Sequence, residues 1–470
     1  MSRLKKILLG FGILIVVLAA SFLLVVGPWP VYASTGYENA GYYEKALEDI
    51  QANVAESTLT EKPGTLRAGW ASRIITPKIG TPMAGYSARP GDKASEGVRD
   101  ELYVKALALD DGVDTVVLVG ADMLIIPPNL AELVREKVAA KSPLTTNDLL
   151  FGASHTHCGP GAFGPGIAAK ISAGTYDPAI PEFLATNFAD AILEAYQKRE
   201  PAKLAHGSVD APDYIRNRTR DAGVDSELSF LVVEQEDQDR CYLTSYSAHP
   251  TNFGSRMMEF SAEYPGELMR HIERATKATA LYLGGALGSM GPKAPDAPNA
   301  SAKVEAMGQA LAQLVLDNTQ NLRFETNLDV ASLSIPIGMP AKQMRPSSPG
   351  WRLSPILARI FGVPSEGWLQ GARVGEILFV GVPFDFSGET SADWKAWAAT
   401  KDYDLWTTSF ASTYCGYLSP DKYYTKLEDD GRLDYEIGLM NWFGPDTEAY
   451  YTSLLHHMAD AMDSAPKEAA

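Results

Sequence analysis

Two histidines one residue apart, His155 and His157, are the clearest chemical signal in this 470-residue sequence, which has seven histidines in all. They lie in LLFGASHTHCGPGAFGPG (149–166), after an apolar run and directly before several glycines. A β-strand places residues i and i+2 on the same face, so a strand running through them would aim both imidazoles in one direction. Imidazoles that point together are a common beginning of a metal site.

Other polar or glycine-rich segments also follow apolar runs that are predicted to be strands. Asp122 follows TVVLVGA, His249 follows CYLTSYSA, a glycine loop follows ALYL, and Asp385 follows ILFVGVPF. Open α/β sheets bind ligands beyond the carboxyl ends of their strands, so we expect these segments to build one site. The alternative is that these residues have structural roles and bind no ligand: His249 could cap the loop before Pro250, and Asp385 could be a turn residue.

Two or three imidazoles, one carboxylate and a water molecule form the ligand set of a catalytic zinc ion. Zinc lowers the pKa of a bound water to about 7, which supplies a nucleophile without an activated serine. The sequence contains no Gly-X-Ser-X-Gly or His-Glu-X-X-His motif, no phosphate-binding P-loop and no dinucleotide-binding glycine motif. We therefore predict a zinc hydrolase.

The remaining possible ligands are expected to be structural. Cys158 follows His157, but a single cysteine beside a tight glycine turn is more often a small buried hydrophobic residue. Three cysteines cannot all pair with one another, so the core and not a disulfide framework must stabilise the chain. The other four histidines lie in loop or helix patterns without a carboxylate partner and are expected at the surface or in packing: His206, His271, His456 and His457.

Helical patterns alternate with short apolar runs along the chain, which favours an α/β fold. Clear helical periodicity occurs at 129–141, 181–199 and 304–318. We predict a mixed β-sheet core flanked by helices, in a single large zinc-hydrolase-like catalytic domain at 67–462, with a tail at 463–470. Length alone would also allow two or three domains.

The first 27 residues contain a candidate membrane anchor. No charged residue occurs from Ile7 to Val26, a stretch long enough to span the hydrocarbon core of a bilayer as one helix. The basic residues before it should stay cytoplasmic, which makes the catalytic domain of this single-pass protein extracytoplasmic, either periplasmic or extracellular. A cleaved signal peptide is the alternative, since Val31-Tyr32-Ala33 resembles a cleavage site.

A stalk or linker is predicted at 28–66, in which Tyr37 to Glu56 would be either a stalk or a first surface helix. The chain has 41 basic and 58 acidic residues, a net charge of −17. This charge repels nucleic acid, so no nucleic-acid partner is expected. Contact with the membrane is expected through the N-terminal helix, and the sequence leaves the oligomeric state open.

Six motifs follow one another along the chain: GWASRIITPKIGTPMAGYSARP, SHTHCGPGAFG, NRTR, YSAHPTNFG, SAEYPGEL and TYCGYLSPDKYY followed by DYEIGLMNWFGPDTEAY. In this order they resemble the neutral (neutral/alkaline non-lysosomal) ceramidase family, zinc amidases that hydrolyse the N-acyl bond of ceramide. The resemblance extends from about Gly69 to His457.

The resemblance implies a role for each matched residue. His155 and His249 are implied as zinc ligands, with His157 beside the zinc as a group that moves protons. The family's third and fourth ligands, a glutamate and a tyrosine, correspond to Asp385 and Tyr417, with Glu389 as the alternative carboxylate. Arg218 and Tyr435 are implied to polarise the substrate carbonyl, where a guanidinium and a phenol can stabilise a developing oxyanion.

One position departs from the family pattern. The family reads Gly-Asp-Val-Ser-Pro where this chain has Gly288-Ser289-Met290-Gly291-Pro292, so Gly291 replaces a serine of the site. Ser289 is the alternative hydroxyl, although a strand or tight turn would aim it elsewhere.

The leading hypothesis is therefore a membrane-anchored zinc amidase acting on ceramide or another N-acylated lipid. The second hypothesis is a zinc hydrolase of the same family acting on a different amide or ester. The third is a lipid-binding homologue without catalytic activity.

Overall fold

The structure is a computed structural model that describes residues 3–56, 64–345, 350–424 and 433–463. Most of the predicted tail (464–470), part of the predicted linker (57–63) and the first two residues of the predicted anchor lie outside the described residues.

The helices and strands of these ranges are named in chain order. The helices are α1 (Arg3–Val25), α2 (Gly41–Glu56), α3 (Pro128–Ala139), α4 (Ile167–Ala173), α5 (Ala179–Gln197), α6 (Glu263–Thr276), α7 (Ala300–Asn318), α8 (Pro355–Ile360), α9 (Gly388–Ala399) and α10 (Thr447–Asp463). The strands are β1 (Trp29–Pro30), β2 (Arg67–Ile74), β3 (Gly97–Val98), β4 (Tyr103–Asp110), β5 (Thr115–Ala121), β6 (Leu149–Ala153), β7 (Glu200–Asp210), β8 (Ile215–Asn217), β9 (Glu227–Gln235), β10 (Arg240–Tyr246), β11 (Glu259–Phe260), β12 (Thr279–Gly284), β13 (Met290–Pro292), β14 (Val330–Gly338), β15 (Trp351–Arg352), β16 (Glu366–Val374), β17 (Ile377–Gly381), β18 (Asp385–Phe386), β19 (Asp404–Thr408) and β20 (Tyr417–Leu418).

Two β-sheets form the centre of the molecule. The larger sheet has the strand order β12-β10-β9-β7-β2-β4-β5-β6, and the smaller has the order β14-β16-β17-β19. Most neighbouring strands are antiparallel, whereas β5 and β6, β10 and β12, and β17 and β19 form parallel pairs. The predicted fold class, an α/β fold with a mixed sheet core flanked by helices, is confirmed.

The two sheets pack face to face, and helices cover their outer sides. Buried side chains from both sheets meet between them, such as Leu107 and Leu118 from the larger sheet and Val330 and Phe379 from the smaller. Helices α3 and α5 pack on the larger sheet, and α6 and α7 pack on β9, β10 and β12 of the same sheet. Helices α2, α9 and α10 cover the smaller sheet.

Strand β5 is buried on both faces, which explains its uninterrupted apolar run. Val116 and Leu118 face the core between the sheets, while Val117 and Val119 face the helices on the other side. Because side chains alternate between two buried faces, every position of the run is apolar.

The larger sheet is curled, so that its edge strand β12 lies against β5 and β6. Glycines permit this approach: a Cβ on Gly120 would lie 2.5 Å from the Tyr282 carbonyl oxygen, and one on Gly152 would lie 2.7 Å from the Leu283 side chain. The curl brings the carboxyl ends of β6, β10 and β12 together. The parallel pairs β5/β6 and β10/β12 within this mixed sheet therefore deliver their carboxyl ends to one place.

The N-terminal segment is attached to the domain from the end of helix α1 onward. Helix α1 has no buried residue and, in the part of the chain that the structure describes, is the one helix long and apolar enough to cross a membrane. After it, β1 pairs with β15, and Tyr37 and Ile50 are buried against the smaller sheet and α10. Residues 37–56 thus contain a packed surface helix and not a separate stalk, while the predicted domain boundaries stay predictions.

Candidate metal centre and active site

His155 follows the end of β6 and is held by its surroundings on two sides. Its Nδ1 lies 2.5 Å from the Leu124 carbonyl oxygen, and its ring stacks on Phe410 at 4.2 Å between ring centroids. A carbonyl can only accept, so Nδ1 carries the proton and the lone pair of Nε2 points to the other side. The strand ends at Ala153, and His155 has a left-handed φ of 62°. The expectation that a continuing strand aligns the two imidazoles is wrong, because a turn brings them together.

His157 packs against the loop that precedes β3. Its ring lies 4.7 Å from the Tyr86 ring, and a Cβ on Gly85, whose φ is 114°, would lie 2.7 Å from the His157 Cβ. Only glycine fits there without displacing the histidine. The His157 Nε2 lies 3.3 Å from the Nε2 of His155.

His249 reaches the same point from the end of β10. Its Nδ1 lies 3.0 Å from the Leu287 carbonyl oxygen, which again leaves the Nε2 lone pair free. The His249 Nε2 lies 3.0 Å from that of His157. Ligand atoms of the three histidines all lie within 4.8 Å of one another.

Burial keeps these three imidazoles neutral. It lowers the pKa of His155 to about 3, and it lowers the pKa values of His157 and His249 well below the usual value. Neutral imidazoles are the form that binds a metal ion. Buried nitrogen lone pairs that converge in this way, with two of the rings oriented by carbonyl groups, are the donor arrangement that suits a cation.

Asp385 places a carboxyl beside the three histidines. Its Oδ2 lies 3.6 Å from the His155 Nε2, and its Oδ1 is buried without a hydrogen-bond partner among the described atoms. Burial raises the pKa of this carboxyl to about 7, while Arg218 and a hydrogen bond with Tyr417 act in the opposite direction. A nearby cation would favour the ionised form.

Glu389, the alternative carboxylate, points into a different group of side chains. Its Oε2 accepts a hydrogen bond from Arg220 at 2.9 Å, and its Oε1 accepts one from the Tyr423 hydroxyl at 2.6 Å. Arg220 also binds Asp434 and Glu436. The structure therefore brings Asp385, and not Glu389, to the histidines.

Tyr417 and Arg218 form the wall beside Asp385. The Tyr417 hydroxyl accepts a hydrogen bond from an Arg218 Nη2 at 2.9 Å, and the Arg218 Nε donates to the Gly288 carbonyl oxygen at 3.0 Å. Burial alone would lower the pKa of Arg218, but Tyr417, Asp385 and Glu436 raise it, so the guanidinium stays charged. Burial and Asp385 raise the pKa of Tyr417 well above its usual value.

Tyr435 forms the open side of this group. It begins a π-helical turn (Glu436–Met440), and its ring packs edge-on against that of Tyr417 at 5.7 Å. The side chain is 54% exposed, so a substrate can reach it from solvent.

The position that departs from the family pattern lies beside Arg218. Gly291 lies opposite Arg216 in the β8–β13 pair, and its φ is outside the left-handed region. A Cβ there would lie 3.2 Å from the Arg218 Cβ. The Ser289 hydroxyl lies 3.0 Å from that of Ser387 and accepts from the Gly388 N–H, so it is used within the fold.

Residues outside the predicted set also shape the site. Phe410 and Tyr86 contact the histidine rings, although the sequence predicted no role for them. Tyr86 occurs in one of the family-like motifs, whereas nothing in the sequence around Phe410 indicates its position.

Cys158 is buried without joining the histidine group, and burial raises its thiol pKa to about 12. The expectation for His206 is wrong in one respect, because it lies on β7 and contacts the Asp404 carboxylate at 2.8 Å. Strand pairing supplies a carboxylate that is distant in sequence.

Comparison with known proteins gives a family match and two similar folds. Residues 68–310, slightly more than half of the chain, match the family model for "neutral/alkaline non-lysosomal ceramidase, N-terminal". The crystal structure of neutral ceramidase from Pseudomonas aeruginosa is similar, with a TM-score of 0.73 and 17% identity over 86% of this chain and 74% of that one. A ceramidase complexed with C2 has a TM-score of 0.71 and 18% identity over 86% and 76% of the two chains. No curated protein sequence matches the chain.

Proposed function

Because the chain belongs to the neutral/alkaline non-lysosomal ceramidase family, we propose that it is a zinc-dependent amidohydrolase. The proposed reaction cleaves the N-acyl amide bond of ceramide or a related N-acylated lipid. Its products are a free fatty acid and an amine, which is a sphingoid base when ceramide is the substrate.

The observation that carries the proposal is the convergence of imidazole nitrogens beside a buried carboxyl. Two of the rings, His155 and His249, have their Nδ1 atoms directed at carbonyl oxygens, so their Nε2 atoms are acceptors, and both lie close to the Nε2 of His157. The Oδ1 of Asp385 is buried and lacks a protein partner among the described residues. A cation satisfies all of these atoms at once, and nitrogen donors with one carboxylate are typical of zinc.

We assign the ligand roles to His155, His249, Asp385 and Tyr417. Zinc held there would act as a Lewis acid and lower the pKa of a water molecule. His157 lies close enough to both other imidazoles to bind the same ion or to accept a proton beside it. The His157 Nδ1 has no hydrogen-bond partner among the described residues, and we propose the proton-transfer role for this imidazole.

Arg218 and Tyr435 are proposed to bind the substrate carbonyl. Arg218 is charged and is oriented by the Gly288 carbonyl and the Tyr417 hydroxyl, so it provides fixed positive charge on one side. Partial burial among the residues of the site and the nearby Asp385 raise the pKa of Tyr435, which keeps its phenol protonated as a donor. Fixed donors of this kind stabilise an oxyanion because they need little reorganisation during the reaction.

Helix α1 supports a location at the membrane. Its 23 residues span about 34 Å as a helix, enough to cross the hydrocarbon core. We propose a retained single-pass anchor with the catalytic domain at 67–462 on the extracytoplasmic side. The lipid substrate would then lie in the same membrane.

Gly291 favours a second candidate function. A serine at this position would place a hydroxyl beside Arg218, and Ser289 does not replace it because its hydroxyl already binds Ser387 and Gly388. A pocket without that hydroxyl would suit a different amide or an ester. This candidate keeps the metal centre and changes the substrate.

One experiment tests both candidates. The full chain, purified in detergent, would be analysed for metal content and assayed on ceramide, other N-acylated lipids and carboxylic esters, with and without a chelator. Chelator-sensitive cleavage of ceramide would support the first candidate, and cleavage of another substrate alone would support the second. A metal-free chain that cleaves none of these substrates would contradict both and favour a lipid-binding homologue.

A further inference from the structure

The end of helix α1 is fixed to the domain by several contacts. Strand β1, which begins four residues after α1 ends, pairs with β15, where Trp29 lies opposite Arg352. The Arg352 guanidinium donates to the Pro30 carbonyl oxygen and to the Tyr32 hydroxyl. The Ser354 hydroxyl donates to the Val25 carbonyl oxygen in the last turn of α1. The anchor is thus joined to the domain without a flexible tether.

The surface next to this junction is unusually apolar. Trp351 is 49% exposed, and Ile356 and Ile360, four residues apart on α8, are 48% and 53% exposed. Tyr32 adds a fourth exposed aromatic or aliphatic side chain. We call these four residues the anchor-proximal face. Aromatic side chains beside the end of a membrane helix are typical of the membrane interface.

The charge of the same segment differs from that of the whole chain. Residues 330–365 contain four basic residues and no acidic residue, in a protein with a net charge of −17. Arg359 is exposed on α8 between the two isoleucines. Arg345 and Arg352 are buried, so Arg359 and the half-buried Lys342 carry the positive charge of this surface. An apolar surface with basic side chains and no acidic ones is suited to anionic lipid head groups above acyl chains.

Hydrogen bonds connect this face with the open side of the site. The Leu353 N–H donates to the Met344 carbonyl oxygen at 2.8 Å. The next residue, Arg345, donates from its main chain to Gly438 at 3.3 Å and from its guanidinium to Ile437 at 3.2 Å. Both acceptors belong to the π-helical turn that begins after Tyr435.

We infer that the anchor-proximal face lies in the head-group region of the same bilayer that α1 spans, and that it holds the Tyr435 side of the site at the lipid surface. A lipid surface is the occupant because the face begins where α1 ends, so an inserted α1 carries it to the membrane boundary. The inference rests on the proposed anchor and lipid substrate. An N-acylated lipid would enter the site from the bilayer without crossing bulk water.

Fluorescence in vesicles tests the position of the face. The full chain would be placed in vesicles of zwitterionic and anionic phospholipids, with Ile356→Cys carrying an environment-sensitive fluorophore and with spin-labelled lipids as quenchers. The native cysteines are buried, which directs labelling to the new one. The matched control is Val113→Cys, 47% exposed in the turn between β4 and β5.

We expect a blue-shifted and quenched label at Ile356, and an unshifted, unquenched label at Val113. Equal, water-like signals at both positions in a chain that stays with the vesicles would overturn the docking alone. Release of the chain by an alkaline carbonate wash would overturn the anchor and the docking together.

A second experiment measures the consequence for turnover. The double variant Ile356→Asp/Ile360→Asp should lower cleavage of vesicle-embedded long-chain ceramide about tenfold, because it removes two apolar side chains that contact the lipid. Cleavage of a water-dispersed short-chain ceramide should not change, and Val113→Asp should affect neither substrate. Equal losses on both substrates would overturn the inference. If neither substrate is cleaved by the unmodified chain, the proposed function fails while the fluorescence result still decides the docking.

Discussion

Asp385 lies directly opposite Tyr417 in the short parallel pair of β18 and β20. This register places a carboxyl and a phenol side by side, and Arg218 donates to the phenol from the other side. The chain between the two strands includes α9 and β19, so residues 32 positions apart become neighbours through one pair of two-residue strands. A substitution in this pair therefore tests the proposed metal centre more directly than a substitution elsewhere in the sheets.

His249→Ala should remove the metal. His249 is buried and contributes one of the converging Nε2 atoms, and its loss leaves too few donors for tight binding. Elemental analysis of the purified chain would measure occupancy. His271→Ala is the matched control, since His271 lies on α6 outside the histidine group. Equal metal content in the two variants would exclude His249 from the site.

Asp385→Asn should abolish activity and metal binding while the thermal stability is kept. The amide is a poor anionic ligand, but it replaces a buried carboxyl whose ionised form is disfavoured. Glu389→Gln should keep activity and metal binding but lower the thermal stability. It weakens the buried contact with Arg220, at a cost of about 1–3 kcal/mol. Metal content and melting temperature would be compared. If Glu389→Gln lost its metal while Asp385→Asn still bound metal, the assignment of Asp385 as the carboxylate ligand would be wrong.

Gly291→Ser should raise ceramide turnover by up to about tenfold, since a neutral hydrogen bond contributes about 0.5–1.5 kcal/mol. The fold should tolerate it, because φ is not left-handed and the new Cβ needs only a small shift of Arg218. Gly291→Ala supplies the Cβ without the hydroxyl and is the control. If both variants lose the same activity at unchanged melting temperature, the family serine has no role in this chain.

Gly85→Ala should disturb the metal centre through His157. The added Cβ would lie 2.7 Å from the His157 Cβ, at a φ of 114°. Gly80→Ala has a similar φ of 94° with open space around it, so it measures the backbone cost alone, about 1 kcal/mol. We expect a lower melting temperature in both variants, and loss of metal and activity only in Gly85→Ala. The same metal content in both would show that the contact with His157 is unimportant.

The contact between His206 and Asp404 should make stability depend on pH. The hydrogen bond to Asp404 raises the pKa of His206 above its usual value, so the folded state binds a proton more tightly than the unfolded state. The resulting stability, at most about 1 kcal/mol, is present below about pH 6.5 and is lost as pH rises through the folded pKa. His206→Gln should remove this dependence in melting curves measured across pH. An unchanged pH profile in His206→Gln would contradict the prediction.

His271→Gln is the comparison. Burial lowers the pKa of His271, so its contribution to stability decreases as the pH falls, and the substitution should remove a pH dependence of the opposite sign.

The sequence by itself determined the types of residue in the site and much of the secondary structure. Apolar runs buried on both faces, such as 115–121, and amphipathic helices, such as 181–199, are local patterns that depend on the period of one element. The neighbouring histidines 155 and 157, the ordered motifs and the apolar N-terminus are also visible without coordinates. These features indicated the family, the mixed α/β class and a candidate metal centre.

Only the tertiary structure decided which distant residues meet. The curl of the larger sheet depends on close backbone contact at Gly120 and Gly152, which involves strands far apart in sequence. The choice between Asp385 and Glu389 depends on the pairing of β18 with β20, because two carboxylates four residues apart are equivalent in sequence. The partner of His206 and the attachment of α1 through β1 likewise arise from long-range pairing. Such contacts are set by the packing of whole layers, for which the local sequence carries no signal.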